Sequence, residues 1–397
     1  MRKLLTRNIL LVSFVSFFND IASEMLYPVT PVYLRSIGFS IVLIGLLEGI
    51  AEFTAGISKG YFGNLSDRKG SRLPFVQLGY SLSAISKPMM ALFTFPWWVF
   101  IARTTDRLGK GIRTSARDAL LSDETIPENK GKVFGFHRMF DTLGASIGPF
   151  LALFFLLIYP GEYKWLFYLA FLPGIFSILI TLFIRENSKV NKTKDAKVLS
   201  TPFFGYLHYW KEAGRSYKRL VVGLLVFTFF NSSDVFLLLM LKNNGMNDSQ
   251  MIGFYIFYNL IFALFSLPVG YLADKIGLKT TLIIGLLLFA IVYTGFGFAQ
   301  SFVSFAILFF VYGLFAAANE GVAKALISNL AQKDKTATAI GFFNSFSSVC
   351  AMLASAIGGI LFVINSKLMF WVSGFGVFAV VLFFMIVKFW KDELQTA

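Results

Sequence analysis

Apolar residues run along this chain in long blocks, and short polar breaks separate the blocks. A helix that crosses a bilayer needs about 20 mostly apolar residues. Twelve blocks reach that length, near residues 9–34, 41–63, 73–95, 96–121, 133–158, 165–184, 220–242, 250–272, 280–298, 301–326, 338–363 and 368–388. Apolarity is continuous within each block. Barrel strands would alternate over about 10 residues, so the pattern predicts helices. The expected fold is all-α and integral to a membrane, with twelve transmembrane helices.

The polar breaks carry a second message. Gly63-Asn-Leu-Ser-Asp67-Arg68-Lys-Gly70-Ser-Arg72 lies between blocks two and three. Gly270-Tyr-Leu-Ala-Asp274-Lys275-Ile-Gly277-Leu-Lys279 lies 207 positions further on, between blocks eight and nine. Ala119–Asp123 resembles Ala325–Asn329, and Gly135-Phe136 resembles Gly341-Phe342, at an offset of 206. Phe17-Phe18-Asn19 is echoed by Phe229-Phe230-Asn231. The chain therefore reads as a duplication: a six-helix bundle over 1–184, a basic linker over 185–219 and a second six-helix bundle over 220–397. Repeats of this size are a basis for alternating access, with a site at their interface near the midplane. Within the linker, 187–195 is polar and poorly structured, and Pro202–Tyr209 is aromatic-rich and suited to the membrane surface.

Composition and charge sharpen this. Fifty-six per cent of residues are hydrophobic, 15% are charged, and 48 are Phe, far more than a soluble core requires. The net charge of +14 could suggest nucleic acid. Its distribution says otherwise. Nine Lys/Arg lie in the linker, and Arg2, Lys3, Arg7, Arg68, Lys69, Arg72, Lys130, Lys132, Lys275, Lys279, Lys333 and Lys335 fall on the same side when the spans alternate. The other side shows only Arg35, Lys164, Lys242 and Lys367. The positive-inside rule puts both termini in the cytoplasm, and no nucleic-acid partner is needed to explain the charge. The short loops and Lys- and Phe-rich composition suit a bacterial inner membrane. A lone cysteine, Cys350, rules out an internal disulfide framework. Two isolated histidines, His137 and His208, leave no metal or cofactor expected. No P-loop suggests direct ATP drive, and no nucleophile–base constellation suggests an enzyme.

On these features the chain resembles a secondary transporter of the major facilitator superfamily, twelve-helix type. The Gly63–Arg72 segment resembles the family's signature loop, and Gly270–Lys279 its second copy. Arg107-Leu-Gly-Lys-Gly111 resembles a pattern linked to proton coupling. Gly144-Ala-Ser-Ile-Gly148-Pro149 resembles the first part of the antiporter motif, with Ala152 and Leu153 where the family has a glycine pair. The resemblance implies a cytoplasmic gate built on Gly63, Asp67, Arg68, Gly70, Arg72, Gly270, Asp274 and Gly277. Gly63 would admit close helix approach and Gly70 a tight turn. Asp67 would face the positive end of span eleven, near Ile340. Arg68 and Arg72 would pair with Asp118 or Asp123, and Arg117 and Asp118 would also serve the gate.

Ionisable residues inside spans are costly and face a cavity or a partner. The first half holds most of them: Asp20 and Glu24 in span one, Glu48 and Glu52 in span two, Lys87 in span three, Arg103, Asp106, Arg107, Lys110, Arg113, Arg117 and Asp118 in span four. Span five adds His137, Arg138 and Asp141, and the second half offers Asp234, Glu320 and Lys324. Several pairs stand four apart and share a helix face. Asp20, Glu24, Glu48, Glu52, Lys87, Arg103, Asp106, Arg107, Asn231 and Asp234 are the candidates for proton coupling and the central cavity. Lys87 is expected to pair with Glu48 or Glu52, and Asp20 or Glu24 to carry the coupled proton with Arg107 as partner.

The reading is a proton-coupled transporter of a small organic solute, working as a monomer among membrane lipids, with a lean to antiport and efflux. The basic excess of span four favours an organic anion or zwitterion, such as a metal-chelating metabolite, and uptake of such a solute is the alternative. A non-transporting receptor or assembly factor is the alternative of another class.

Overall fold

The structure, a computed structural model, describes residues 6–186 and 202–386. Arg2, Lys3 and the polar stretch 187–195 of the linker lie outside the described residues. The described residues form helices and no strands: α1 (Arg7–Leu26), α2 (Thr30–Ser36), α3 (Ile41–Lys69), α4 (Leu73–Leu92), α5 (Pro96–Asp123), α6 (Lys130–Ile158), α7 (Tyr163–Thr181), α8 (Tyr209–Glu212), α9 (Arg215–Phe230), α10 (Val235–Asn243), α11 (Asp248–Ile276), α12 (Leu278–Phe296), α13 (Phe302–Asn329), α14 (Thr336–Ile364) and α15 (Ser366–Ile386). With the four-residue α8 set aside and α1–α2 and α9–α10 each taken as one crossing, these are the twelve expected spans.

Two of those spans are broken rather than continuous. The first breaks at Tyr27–Val29, where Pro28 cannot donate a backbone hydrogen bond and Pro31 restarts the helix. The seventh breaks at 231–234, where Asn231 is extended (φ −90°, ψ 90°). No proline or glycine acts there. Asn231, Ser232, Ser233 and Asp234 can offer side-chain hydrogen bonds that compete with the helix. Irregular backbone at membrane depth persists only where it is buried or lines a cavity, and this one lines a cavity described below.

Nine of the described crossings are long and apolar enough to span a membrane by composition alone. The exceptions are α3, α4 and α5. α3 and α5 are the helices richest in charge, and α4 carries the buried Lys87. The outer faces are apolar instead: Val363, Ile386, Leu157 and Phe375 are 87%, 78%, 72% and 66% exposed. Such surface is stable against hydrocarbon and not against water.

Packing divides the described residues into two compact units. Unit 1 draws on Met1–Ile126, Phe140–Tyr209 and Lys333–Ser345. In it α5 packs on α3 and α4, and α7 on α1 and α4. Its core joins Leu26, Tyr33, Leu34, Leu47, Phe167 and Ala170. Tyr206, from the aromatic stretch expected at the membrane surface, is instead buried beside Gly60 and Ser345. Unit 2 draws on Pro127–Met139, Trp210–Gln332 and Phe346–Ala397. Its α13 packs on α11 and α12, and α15 on α12 and α9. Aromatic rings fill its core: Phe289 stacks on Tyr293 at 4.0 Å, and Phe296 on Phe370 at 5.3 Å. Many of the 48 Phe are thus packing mass between helices.

Candidate functional site

Within unit 1 the first hinge is a helix cap. α3 ends at Gly70, whose left-handed φ of 59° closes the helix. One turn earlier, Asp67 accepts hydrogen bonds from the backbone N–H groups of Ala337 (3.3 Å) and Thr338 (2.5 Å) and from the Thr338 hydroxyl (2.5 Å). These are first-turn donors of α14, where a carboxylate is favoured by unpaired N–H groups and the helix dipole. Gly63 makes the approach possible, since a Cβ there would collide with the Ala337 carbonyl. Arg72 pairs with Asp67, donates to Ser66 Oγ (3.1 Å) and reaches Asp123 (3.4 Å). Burial works against the Arg72 charge, but these carboxylates overcome it and hold the guanidinium above its ordinary value.

Unit 2 repeats the device. Asp274 accepts from the N–H groups of Gly131 (2.9 Å) and Lys132 (3.0 Å) at the start of α6, and a Cβ on Gly270 would strike the Gly131 carbonyl. Gly277 ends α11 at φ 97°. Asp67→Ala is expected to cost about 1–2 kcal/mol. Hydrogen exchange at the amides of Ala337 and Thr338 should quicken in that variant, with Gly131 and Lys132 unchanged; Asp274→Ala should give the reverse pattern.

Two gate expectations need correction. Arg68 is exposed and makes no ion pair among the described residues. Asp118 does not meet the hinge: it is fully buried and pairs with Arg117 at 2.9 Å, which also donates to Ser16 (3.0 Å) and lies 3.8 Å from Asp141. α5 turns this pair inward, about a turn and a half from Asp123. Arg72 takes Asp123 instead, and its backbone N–H donates to Glu186 (2.5 Å). Glu186, at the edge of the linker, also accepts from Leu73 N–H (3.0 Å) and Ser71 Oγ (2.9 Å), capping α4.

Deeper in unit 1, the ionisable residues join into a network. Glu48 accepts two 2.8 Å hydrogen bonds from Arg103, a bidentate pair. Arg107 reaches Glu52 at 3.1 Å and Glu48 at 4.0 Å. Lys87 pairs with Asp106 at 2.7 Å and donates to Ser23 at 3.1 Å, rather than meeting Glu48 or Glu52 as expected. Geometry decides this. Asp106 faces α4, whereas Arg103 and Arg107, on the neighbouring face of α5, take the glutamates of α3. Arg113 donates to Ser83 (2.6 Å) and lies over the Tyr80 ring (4.5 Å). Asp20 makes no ion pair with Arg107 among the described residues: it lies against α6, where a Cβ added to Gly144 would stand 3.2 Å from the Asp20 Cβ, and the Asp141 carboxyl acts on it electrostatically. Gly144 and Gly148 let α6 approach α1, because a Cβ on either would meet α1 backbone at Phe17 or at Ile21 and Met25. Pro149 follows inside α6. Glu24 makes no ion pair among the described residues, although Lys110 and Arg107 act on it electrostatically.

In unit 2, Asp234 accepts hydrogen bonds from Tyr258 (2.8 Å) and Tyr312 (2.6 Å). Asn231, Phe262, Phe315, Asn319 and Glu320 join them around a cavity of about 140 Å³. Glu320 is paired with Arg138. Tyr258, Tyr312 and Asn319 were not singled out from sequence; two tyrosines in aromatic runs look like packing. Among the described residues no group of His, Cys, Asp and Glu could hold a metal ion.

A family model described as Major Facilitator Superfamily matches residues 12–263 and 220–396. The uncharacterised MFS-type transporter MJ1317 of Methanocaldococcus jannaschii is 34% identical over 372 residues, 92% of this chain and 91% of its own length. The chain belongs to the Major Facilitator Superfamily. Quinolone resistance protein NorA of Staphylococcus aureus is 23% identical over 202 residues, 50% of this chain and 51% of NorA. The crystal structure of the human organic anion transporter MFSD10 (TETRAN) matches with a TM-score of 0.74 at 16% identity, covering 95% of this chain and 99% of that one. As a superfamily member, the chain is a multi-pass membrane transporter of small molecules and not an enzyme. Its all-helical architecture is the superfamily fold.

Proposed function

We propose that the protein exports a small amphiphilic organic solute in exchange for protons, as a monomer in the cytoplasmic membrane of a bacterium, with Asp20 and Asp141 holding the exchanged proton. The meeting of these two acids where α1 crosses α6 carries the reading. Two ionised carboxylates at one buried site would repel each other, which gives a proton a reason to bind the pair. Asn19 donates to Asp20 (3.2 Å), Glu24 and Arg113 act on it, and Arg117 stands 3.8 Å from Asp141. The pair lies between α1 and α6, the helix crossing that Gly144 and Gly148 form. Sliding or rocking of α1 against α6 would part the carboxyls and release the proton.

The same view assigns the two N-terminal caps, Asp67 on α14 and Asp274 on α6, to the cytoplasmic gate. The positive-inside count supports that side. The cations of α5 argue against anion uptake. Arg103, Arg107 and Arg117 are already matched by Glu48, Glu52, Asp118 and Asp141, so the basic stripe offers little free charge to an anion. The similarity to a quinolone resistance protein over half the chain is in keeping with export.

Proteoliposomes with an acid lumen and an internal pH dye test the reading. Organic cations, zwitterions and anions are added outside in turn. Exchange predicts that a transported solute makes the lumen more alkaline. Further acidification would select proton-coupled uptake, and solute flux without any pH change would sink proton coupling altogether.

A further inference from the structure

The proton pair leaves the cavity of unit 2 without a task. Its wall is rich in acceptors. Asp234 stands in the break between α9 and α10, and each of its oxygens accepts one tyrosine hydroxyl. No Lys, Arg or His forms an ion pair with it among the described residues. Asn319 also lines the cavity, is only 9% exposed, and its Oδ1 has no hydrogen-bond partner among the described residues. The Oδ1 of Asn231, in the same wall, is likewise buried with no partner among the described residues. A buried acceptor left unmatched keeps its desolvation cost, so two in one small cavity call for a donor. Asp234 and the faces of Tyr258 and Tyr312 call for positive charge.

We propose that this cavity receives a protonated amine of the transported solute. An ammonium group supplies three donors, no acceptor and one positive charge. Asp234 would balance the charge, and the oxygens of Asn231 and Asn319 would take the remaining N–H groups. A carboxylate head would meet Asp234 and unmatched oxygens instead. Drug-sized ligands need roughly 300–1,000 Å³. About 140 Å³ therefore fits a head group and a short hydrocarbon neck, with the rest of the solute outside it. The inference rests on the export reading and narrows its substrate class to amphiphilic amines, whether cations or zwitterions.

Calorimetric titration of the purified full-length protein with three molecules of one skeleton tests this: phenethylammonium, 2-phenylethanol and 3-phenylpropionate. The ammonium should bind at least tenfold more tightly than the alcohol, and the carboxylate more weakly still. Asp234→Asn should weaken ammonium binding at least tenfold, and Asn319→Leu severalfold. If Asp234→Asn does not fold, the Asn319→Leu variant carries the test. Equal binding of the three molecules, preference for the carboxylate, no ammonium binding, or no effect of the substitutions would overturn the proposal. Failure of the coupling scheme looks different: the ammonium would bind as expected, yet its transport would move no protons.

Discussion

Replacing Asp20 by Asn is expected to lower pH-gradient-driven transport at least tenfold while leaving the protein folded. Asn matches Asp in size and carries no charge, so the crossing of α1 and α6 at Gly144 survives without a proton. What disappears is the group that must gain and lose one. Solute exchange at equal pH on both sides should continue, because it needs rocking but no net proton movement. Asp141→Asn should reproduce both results, since one proton serves the pair. Glu24→Gln should keep most gradient-driven transport, because the cations Lys110 and Arg107 act on Glu24 more strongly than Asp141 does. Flux measured with and without a gradient separates these cases. Normal gradient-driven flux in both Asp20→Asn and Asp141→Asn would end the case for the pair as proton carrier.

The helices were legible because apolar continuity is a one-dimensional signal. The duplicated hinge was legible for the same reason: Asp67 and Asp274 stand at matching places in matching breaks, and both cap a helix start. Partner choice was another matter. The sequence points Lys87 at a glutamate of span two, yet it meets Asp106, because helix rotation and depth decide which charges touch and neither is written along the chain. Nothing along the chain brings Asp20 to a second acid rather than to Arg107; the α1–α6 crossing at Gly144 that does so is three-dimensional. The bend at Pro28 was readable in principle. The break at Asn231 was not, since four polar residues in a span look equally like interhelical contacts. Glu186 escaped notice because a single acid at a linker's edge carries no periodicity.

Removing Asp106 should be the most damaging single change in the unit 1 network. The Lys87 and Asp106 side chains are 5% and 12% exposed, and their 2.7 Å contact is the main compensation the lysine has. Asp106→Leu leaves Lys87 with Ser23 alone. Loss of one partner of a buried ion pair costs about 3–5 kcal/mol. Lys87→Met should cost less, because Asp106 keeps Arg103 at 3.5 Å and the Ser86 hydroxyl at 3.3 Å. The double variant should recover most of the loss, since it strands no charge and two apolar side chains fill the space. Thermal melting in detergent should therefore rank Asp106→Leu lowest, Lys87→Met next and the double variant nearest to wild type. Equal destabilisation by both single variants, with no recovery in the double, would show that the two residues act separately. Transport by the double variant then decides the pair's role. Near-normal flux makes Lys87–Asp106 a structural lock between α4 and α5. Lost flux in a stable double variant ties the pair to the moving parts, through the Arg103–Glu48 contact that Asp106 adjoins.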